Sequence, residues 1–265
     1  YLTADHRVLL EYADDIVYGL RAMMKAVSAP EGVILIEDNK PDAVALLEEK
    51  VKPYDNIRVV AAKTQYPEGA EKMLIKKVVP SGKLPADVGC VVSNTSTAKA
   101  ISDAIQKGMP LVERVVSVTG EYIKNPGNYM VKLGTNVQEI IDHCGGVTGE
   151  DVVLKMGGPM MGAPIKDTNV PIIKGSNGII AIAADHTEEK ECIKCGRCVD
   201  VCPMELQPLE IYKLGQLGDA EGLLKLNVMD CFSCKCCEYI CSSKIPLVSK
   251  INAAKGLVMP LLKKK

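Results

Sequence analysis

Nine of the eleven cysteines in this 265-residue chain lie between positions 192 and 241. They form two runs with one spacing, C-x2-C-x2-C-x3-C, over residues 192–202 and 231–241. Cysteines this dense in one segment of a long chain are typical of metal ligands, whereas disulfide frameworks belong to small secreted domains. The pattern therefore predicts metal-binding thiolates in a reducing compartment, the cytoplasm.

Each run can wrap three corners of a cubane cluster in one loop, and the fourth cysteine of each ligates the other cluster in two-cluster ferredoxins. Pro203 follows the first run as in bacterial ferredoxins, and Ser242 takes that place after the second. We therefore predict two [4Fe-4S] clusters. The first is expected on Cys192, Cys195, Cys198 and Cys241, and the second on Cys231, Cys234, Cys237 and Cys202. Cys236 is left over, and because it adjoins Cys237 the register of the second run stays open.

A pair of zinc sites is the alternative interpretation of these cysteines. Structural zinc usually takes two CxxC knuckles at longer separation, or includes histidine, and the last histidine of the chain is His186. The two tandem runs favour iron–sulfur clusters. Two adjacent clusters indicate electron transfer rather than a structural staple.

The rest of the composition excludes some classes of function. A net charge of −1 gives no global attraction to nucleic acid or to an anionic membrane. With no Trp and a single Phe, the chain lacks an aromatic platform for single-stranded nucleic acid. No apolar run approaches the roughly 20 residues that span a bilayer. We predict no nucleic-acid partner.

Apolar periodicity divides the chain into segments. Residues 1–120 alternate strands (33–37, 57–62, 88–92 and 115–119) with helices (from Pro41, over 70–79 and over 98–107), which predicts an α/β, Rossmann-like domain with a largely parallel sheet. Residues 121–185 are predicted as a small α+β module with one helix over 137–143. Residues 186–252 are predicted as a helical ferredoxin-like domain, and residues 253–265 as a tail.

Short motifs outside the cysteine runs carry a resemblance to a known family. They are residues 1–7 (YLTADHR), 66–72 (YPEGAEK), 94–98 (NTSTA), 113–120 (ERVVSVTG), 157–162 (GGPMMG) and 244–248 (KIPLV). With the cysteine runs, this set resembles the C subunit of the Rnf electron-transport complex. Relatives of that family include the cobalamin reductases of bacterial microcompartments and the flavin-bearing subunit of respiratory complex I.

The resemblance implies FMN in the α/β domain, NADH as its substrate, and a β-grasp-like (SLBB) module over residues 121–185. It also implies that a glycine-rich phosphate loop precedes the position of Tyr1, so we expect the chain to be truncated at its N-terminus. The implied function is an electron-transfer subunit of a membrane-associated NADH:ferredoxin-type oxidoreductase. It would lie peripherally on the cytoplasmic face of a prokaryotic cell membrane, with the other subunits as partners and ferredoxin as an indirect one.

Two further interpretations stay open at the level of sequence. One is a soluble flavo-iron–sulfur enzyme similar to cobalamin reductases. The other is a non-enzymatic iron–sulfur electron carrier, if the flavin site is absent.

Candidate flavin and nicotinamide contacts lie where two predicted strands lead into helices. The family motifs place them at Tyr66, Glu68, Gly69, Glu71, Lys72, Asn94, Thr95 and Thr97. The amides at a helix N-terminus favour anionic groups, and ligands of such sheets bind at the carboxyl ends of the strands. For Asn94 and Thr95 the alternative is that they only cap a helix. We expect no catalytic acid, base or nucleophile, because the flavin supplies the hydride chemistry.

Overall fold

The computed structural model describes residues 1–78 and 85–263. The chain forms two compact units, one of Tyr1–Pro159 with Ala163–Ala183, the other of Met160–Gly162 with the chain from Ala184 onward. The last residue of the helix predicted over 70–79 and the last two of the predicted tail lie outside the described residues. No helix in the described ranges combines the length and the apolar character that a bilayer crossing requires.

The first unit begins with the alternation that the sequence predicts. Its elements are α1 (Ala4–Glu11), α2 (Ala13–Val27), β1 (Gly32–Glu37), α3 (Pro41–Val51), β2 (Ile57–Ala62), α4 (Glu71–Val78), a 3-10 turn (Pro85–Val88) and α5 (Thr95–Lys107). β1 and β2 pair in parallel, with Gly32 opposite Ile57 and Glu37 opposite Ala62. The inward residues of β1 and the buried faces of α1, α2 and α3 form one apolar core.

The strand predicted over residues 88–92 does not form. Val88 ends the 3-10 turn, and the residues that follow it carry no strand pairing up to the start of α5. Gly89 has φ of +69°, and the side chain of Val91 is 71 % exposed. These apolar residues bury little surface, so burial does not stabilise a strand here. The prediction of a strand from the apolar residues was therefore wrong.

The strand predicted over residues 115–119 exists but belongs to a second sheet. β3 (Glu113–Thr119), β4 (Gly127–Lys132), β5 (Val152–Met156), β6 (Ala163–Pro164) and β7 (Gly178–Ala183) form a sheet with the order β4-β3-β7-β5-β6. β3 pairs antiparallel with β4 and parallel with β7. The expectation that this strand extends the first parallel sheet is therefore wrong, because its nearest partner in sequence, β4, follows after a short connection.

One helix, α6 (Val137–His143), packs on the second sheet, as the sequence predicts for this module. β3 approaches β7 closely at its end: a Cβ on Gly120 would lie 2.0 Å from the carbonyl oxygen of Ala181, and Gly120 has φ of +111°. Ser117 of β3 is buried, and its Oγ accepts hydrogen bonds from the main-chain N–H groups of Thr3 and Ala4. These two bonds fasten the start of α1 to the sheet.

The second unit is helical over its described residues. Its elements are α7 (Arg197–Asp200), α8 (Pro208–Leu217), α9 (Ala220–Lys225), a 3-10 turn (Val228–Asp230), α10 (Cys236–Tyr239) and α11 (Leu247–Leu262). α11 packs against α8 and α9 around Ile211, Leu223 and Ile251, none of which is more than 1 % exposed. The predicted helical cluster domain therefore has a core of its own.

Candidate functional site

Four of the predicted cluster cysteines line one small cavity, of about 20 Å³, in the second unit. They are Cys202, Cys231, Cys234 and Cys237. The other side chains that line it are apolar, apart from Lys235. The cavity thus joins the last cysteine of the first run to three cysteines of the second run, which is the set that the ferredoxin pattern predicts.

The two cysteine loops have the same backbone conformation. Positive φ angles occur at Lys194 and Gly196 in the first loop, and at Ser233 and Lys235 in the second. Counted from the first cysteine of each run, these are the same positions. Each loop then enters a four-residue helix, α7 or α10. Alternating left- and right-handed residues turn successive main-chain N–H groups towards the inside of a loop, which suits an anionic cluster.

The matching positions of the two loops indicate which of the adjacent cysteines of the second run, Cys236 or Cys237, is the ligand. Cys237 corresponds to Cys198 of the first loop, whereas Cys236 corresponds to Arg197. Cys237 is buried and lines the cavity, and Cys236 is not among the residues that line it. The geometry therefore favours Cys237 as the ligand.

Burial governs the protonation of these thiols. It raises the pKa of Cys237 to about 12 and that of Cys234 to about 11, and the neighbouring thiol of Cys231 adds to both shifts. Burial also raises the pKa of Cys202, although main-chain N–H groups oppose it, and that of Leu206 lies 3.3 Å from the sulfur. Thiols with such pKa values are protonated at pH 7 without metal, so iron binding there releases protons.

The other predicted set lies at the surface of the same unit. Cys192 and Cys195 are exposed, and Cys198 and Cys241 are half-buried. Two hydrogen bonds join the segment before Cys192 to the segment after Cys241. The N–H of Lys190 donates to the carbonyl oxygen of Ser243 (2.8 Å), and the hydroxyl of Ser243 donates to the carbonyl oxygen of Glu191 (2.9 Å).

In the described residues, no three His, Cys, Asp or Glu side chains converge closely enough to hold one metal ion. A zinc ion with Zn–S bonds of about 2.3 Å needs such convergence. A cubane instead binds one thiolate at each of four iron corners, and the four cysteines that line the cavity supply that number of thiolates.

In the first unit, Asn94 caps α5. Its Oδ1 accepts a hydrogen bond from the N–H of Ser96 (2.8 Å), and its Nδ2 donates to the carboxylate of Asp5 (3.0 Å). The capping interpretation of Asn94 is thus observed, and the predicted flavin contact stays a prediction. Thr95 does not cap: its Oγ1 is buried with no hydrogen-bond partner among the described residues. Thr97 is exposed.

Asn94 and Thr97 line a cavity of about 340 Å³ between α5, β3 and the loop before β7. Arg114 of β3 lines it too, and burial lowers the pKa of this guanidinium, although the carboxylate of Asp5 opposes the shift. Polar groups, a helix N-terminus and an unpartnered Thr95 hydroxyl nearby are features that a flavin or another anionic ligand can use.

The residues predicted over 66–72 lie elsewhere on the first unit. Tyr66, Gly69 and Glu71 are exposed, Lys72 is half-buried, and the carboxylate of Glu68 lies 3.3 Å from Nζ of Lys77. None of the predicted residues of this segment is among those that line the cavity of Asn94. Among the described residues, the two predicted groups of contacts therefore do not share the cavity of Asn94.

Sequence reasoning missed polar groups at the carboxyl edge of the parallel strands. Asp38 follows β1, and its carboxylate accepts hydrogen bonds from the N–H (2.9 Å) and the hydroxyl (2.7 Å) of Thr64, which follows β2. Ligands of α/β sheets bind at this edge. The signal was available, since Asp38 comes directly after one predicted strand and Thr64 two residues after the next. Asp5 and Arg114 had no such signal, because they meet the site only through tertiary contacts.

Three family models match the chain in sequence order. They are the Nuo51 FMN-binding domain over residues 1–103, the SLBB domain over residues 115–164, and the 4Fe-4S dicluster domain over residues 191–245. They confirm the predicted fold classes and their order, and both predicted cofactor types, FMN and [4Fe-4S] clusters. The SLBB match includes most of β3, in agreement with the place of that strand in the second sheet.

Curated relatives match over most of the chain. The C subunit of the proton-translocating ferredoxin:NAD(+) oxidoreductase complex of Clostridium ljungdahlii is 45% identical over 82% of this chain and 49% of its own length. The C subunit of the ion-translocating oxidoreductase complex of Rhodobacter capsulatus is 42% identical over 97% of this chain and 51% of its length. The C subunit of the Na(+)-translocating ferredoxin:NAD(+) oxidoreductase complex of Acetobacterium woodii is 40% identical over 96% and 59%.

The chain belongs to this C-subunit family. The resemblance that the sequence motifs carry is thereby confirmed. The chain spans about half the length of the C-subunit relatives that it matches. Among solved structures, a chain of an NAD+-reducing [NiFe]-hydrogenase matches with a TM-score of 0.59 at 13% identity, covering 97% of this chain and 52% of that one. At this identity the match concerns the fold alone, and it agrees with the C-subunit architecture.

Proposed function

We propose that the chain relays electrons between a flavin bound to its α/β domain and two [4Fe-4S] clusters, as part of an NADH-linked ferredoxin oxidoreductase complex. The observation that carries this proposal is the cavity that Cys202 shares with Cys231, Cys234 and Cys237. Because the cavity takes cysteines from both runs, it makes two clusters neighbours within one small domain, as electron transfer between them requires. The names of the C-subunit relatives, which include ferredoxin and NAD(+), supply the substrate pair.

Within this proposal each cysteine run contributes three ligands to one cluster and one to the other. Cys192, Cys195, Cys198 and Cys241 would hold the first cluster, and Cys202, Cys231, Cys234 and Cys237 the second. The matching conformations of the two loops support the assignment. The main-chain N–H groups of Lys194 and Leu206 lie 3.4 and 3.3 Å from the sulfurs of Cys192 and Cys202, where they stabilise thiolate ligands.

FMN, when bound, would supply the hydride and single-electron chemistry, so no catalytic acid, base or nucleophile is asked of the protein. The chain's own part is to bind and orient. We propose that Asn94, Thr95 and Thr97 contact the flavin. Tyr66, Glu68, Gly69, Glu71 and Lys72 would lie on the flavin or nicotinamide side. The position of α5, whose N-terminus Asn94 caps, supports the first group.

The partners and the location follow from the family. We propose that other subunits of the complex supply its membrane-embedded and ion-translocating parts, and that ferredoxin is reached indirectly through them. The chain would lie peripherally on the cytoplasmic face, where NADH is available. The names of the relatives as subunits of ion-translocating complexes support this arrangement.

Cluster ligation is tested first by comparing adjacent cysteines. We expect about eight irons and eight sulfides per chain after anaerobic purification. Cys237→Ser should lose about four irons, because it opens one corner of the second cluster. Cys236→Ser is the matched control and should keep about eight. An unchanged iron content in Cys237→Ser, or loss of iron in Cys236→Ser, would overturn the assigned register, and zinc in place of iron would overturn the cluster proposal.

The redox proposal is tested on the same preparation. FMN is added anaerobically, followed by NADH, and bleaching of the flavin and cluster absorbance is recorded. Bleaching that requires both FMN and an intact second cluster supports the relay. Cluster content with no flavin binding would reduce the chain to an electron carrier, and reduction of cob(III)alamin with no transfer to ferredoxin would favour the cobalamin reductase interpretation.

A further inference from the structure

Two polar side chains of α11 bind the second cysteine loop near its start. Nζ of Lys255 donates to the main-chain carbonyl oxygen of Cys231 (2.5 Å), and Oδ1 of Asn252 accepts from the hydroxyl of Ser233 (2.9 Å). Asn252 and Lys255 are three positions apart, so they are neighbours on one side of the helix. That side of α11 therefore holds the residues around the first cysteine of the loop.

The far end of the loop is bound to the same helix. Glu238 directly follows Cys237, and its carboxylate accepts a hydrogen bond from the N–H of Val248 (3.0 Å), in the first turn of α11. Ile251 and Val258 anchor α11 in the apolar core of the second unit and are at most 1 % exposed. The helix thus supports both ends of the loop that carries three of the four ligands predicted for the second cluster.

Lys255 brings to this loop a positive charge that no carboxylate neutralises. Its side chain is half-buried, and within the described residues it forms no ion pair. Withdrawing an ammonium from water is costly when its partner is a neutral carbonyl. An uncharged donor such as glutamine could make the same hydrogen bond. An anionic group held by the loop would account for the charge.

The group that the loop is predicted to hold is anionic. A cubane ligated by four thiolates carries a net negative charge, and this charge increases by one when the cluster gains an electron. Net charge and nearby hydrogen bonds are among the factors that set the reduction potentials of such clusters. A fixed positive charge beside the loop therefore stabilises the reduced form more than the oxidised form.

We propose that Lys255 is a positioning residue of the second cluster. Its ammonium fastens the carbonyl of Cys231, and its charge raises the reduction potential of the cluster, so that this centre accepts an electron more readily. No bond is made or broken at Lys255, which is not among the residues that line the cavity. The inference rests on the proposed function, which assigns Cys231 as a ligand.

The test measures reduction potentials rather than turnover. The anaerobically purified, cluster-loaded chain is titrated with redox mediators and followed by electron paramagnetic resonance. Lys255→Gln keeps a donor for the carbonyl of Cys231 and removes the charge. A single charge within a protein shifts such an equilibrium roughly tenfold, which corresponds to about 59 mV for a one-electron couple. We expect Lys255→Gln to lower the potential of one cluster by this amount and to move the other far less, and Lys255→Arg to retain the wild-type potentials.

Lys250→Gln is the matched control, because it removes a charge from the same helix. Lys250 is exposed, and its ammonium lies 5.8 Å from the centroid of the Tyr212 ring. This variant should leave both potentials unchanged. A shift as large as that of Lys255→Gln would show a general effect of net charge and would overturn the proposal.

Loss of clusters in Lys255→Gln is decisive as well. If that variant loses about four irons and Lys255→Arg keeps about eight, the charge holds the second cluster and the proposal stands, whereas equal loss in both variants overturns it. A fully loaded Lys255→Gln with wild-type potentials overturns the proposal and leaves the proposed function intact. A wild-type chain without iron overturns the proposed function, and this inference with it.

Discussion

Asp103 supplies the one carboxylate of α5, and it forms ion pairs with Lys99 and Lys107. Burial by itself would raise its pKa, but hydrogen bonds from Lys107 and Lys99 outweigh that effect and leave the pKa lowered. Asp15 of α2 lies 4.0 Å from the Lys107 ammonium and adds to the same group of charges. The group joins α5 to α2 at the surface, next to the cavity that Asn94 and Thr97 line.

The sign of the pH effect follows from this shift. A carboxylate whose pKa is lower in the folded state stabilises the fold above its unfolded pKa, about 3.9, and the stabilisation is lost as the pH falls through the folded value. Asp103→Asn should cost about 0.5–1 kcal/mol at pH 7 and less at pH 3, below the unfolded pKa. Urea unfolding at both pH values measures the difference, and an equal cost at both would contradict the assignment.

At the scale of elements, α2 and α5 pack so closely that one position tolerates only glycine. A Cβ on Gly19 would lie 2.0 Å from the carbonyl oxygen of Ala98. In an ordinary helix, alanine is about 1 kcal/mol better than glycine. Here the added methyl group would push α5 away and move the N-terminus that Asn94 caps.

Gly19→Ala should therefore destabilise the first unit by several kcal/mol, as overpacking in a tight interface does at its upper end. Gly256→Ala in α11 is the matched control. Its Cβ would meet nothing within 4 Å, so it should be neutral or stabilising by up to about 1 kcal/mol. Thermal unfolding of both variants distinguishes packing from helix propensity, and similar melting temperatures for the two would contradict the packing argument.

Most elements were predictable where the pattern was strong. The 57–62 strand and the 137–143 helix agree with the structure, because apolar spacing and turn residues act locally there. The partner of β3 was not predictable, since pairing depends on which strand edge is free after folding. The two sets of cysteines could be predicted from their spacing alone. The position of Arg114 could not, because it depends on a hydrogen bond to Lys174, which lies 60 residues further along the chain.

At the scale of the whole molecule, the two units have separate apolar cores. The core of the second unit includes Cys237 itself, and several other cysteines pack against it. Among the described residues, Cys144 is the one cysteine in the cores of the first unit. Where metal ligands belong to an apolar core, metal binding contributes to the free energy of folding. Loss of iron should therefore destabilise mainly the second unit.

Anaerobic removal of iron with a chelator should raise amide hydrogen exchange throughout residues 191–251 and leave β3, β7 and α6 protected. Mass spectrometry of the peptides measures both regions in one sample. Reconstitution with iron and sulfide is the control and should restore protection. Uniform loss of protection across the chain would show that the clusters support the first unit as well.

The matching loops have a consequence for how such a protein acquires its metal. If each run contributes a ligand to the neighbouring site, neither site can be completed while the other loop is still unfolded. Assembly would then be interlocked: a half-loaded intermediate would retain an open corner, vulnerable to oxygen, until both loops close. The paired architecture would thus couple the maturation of the two centres through the folding of both loops.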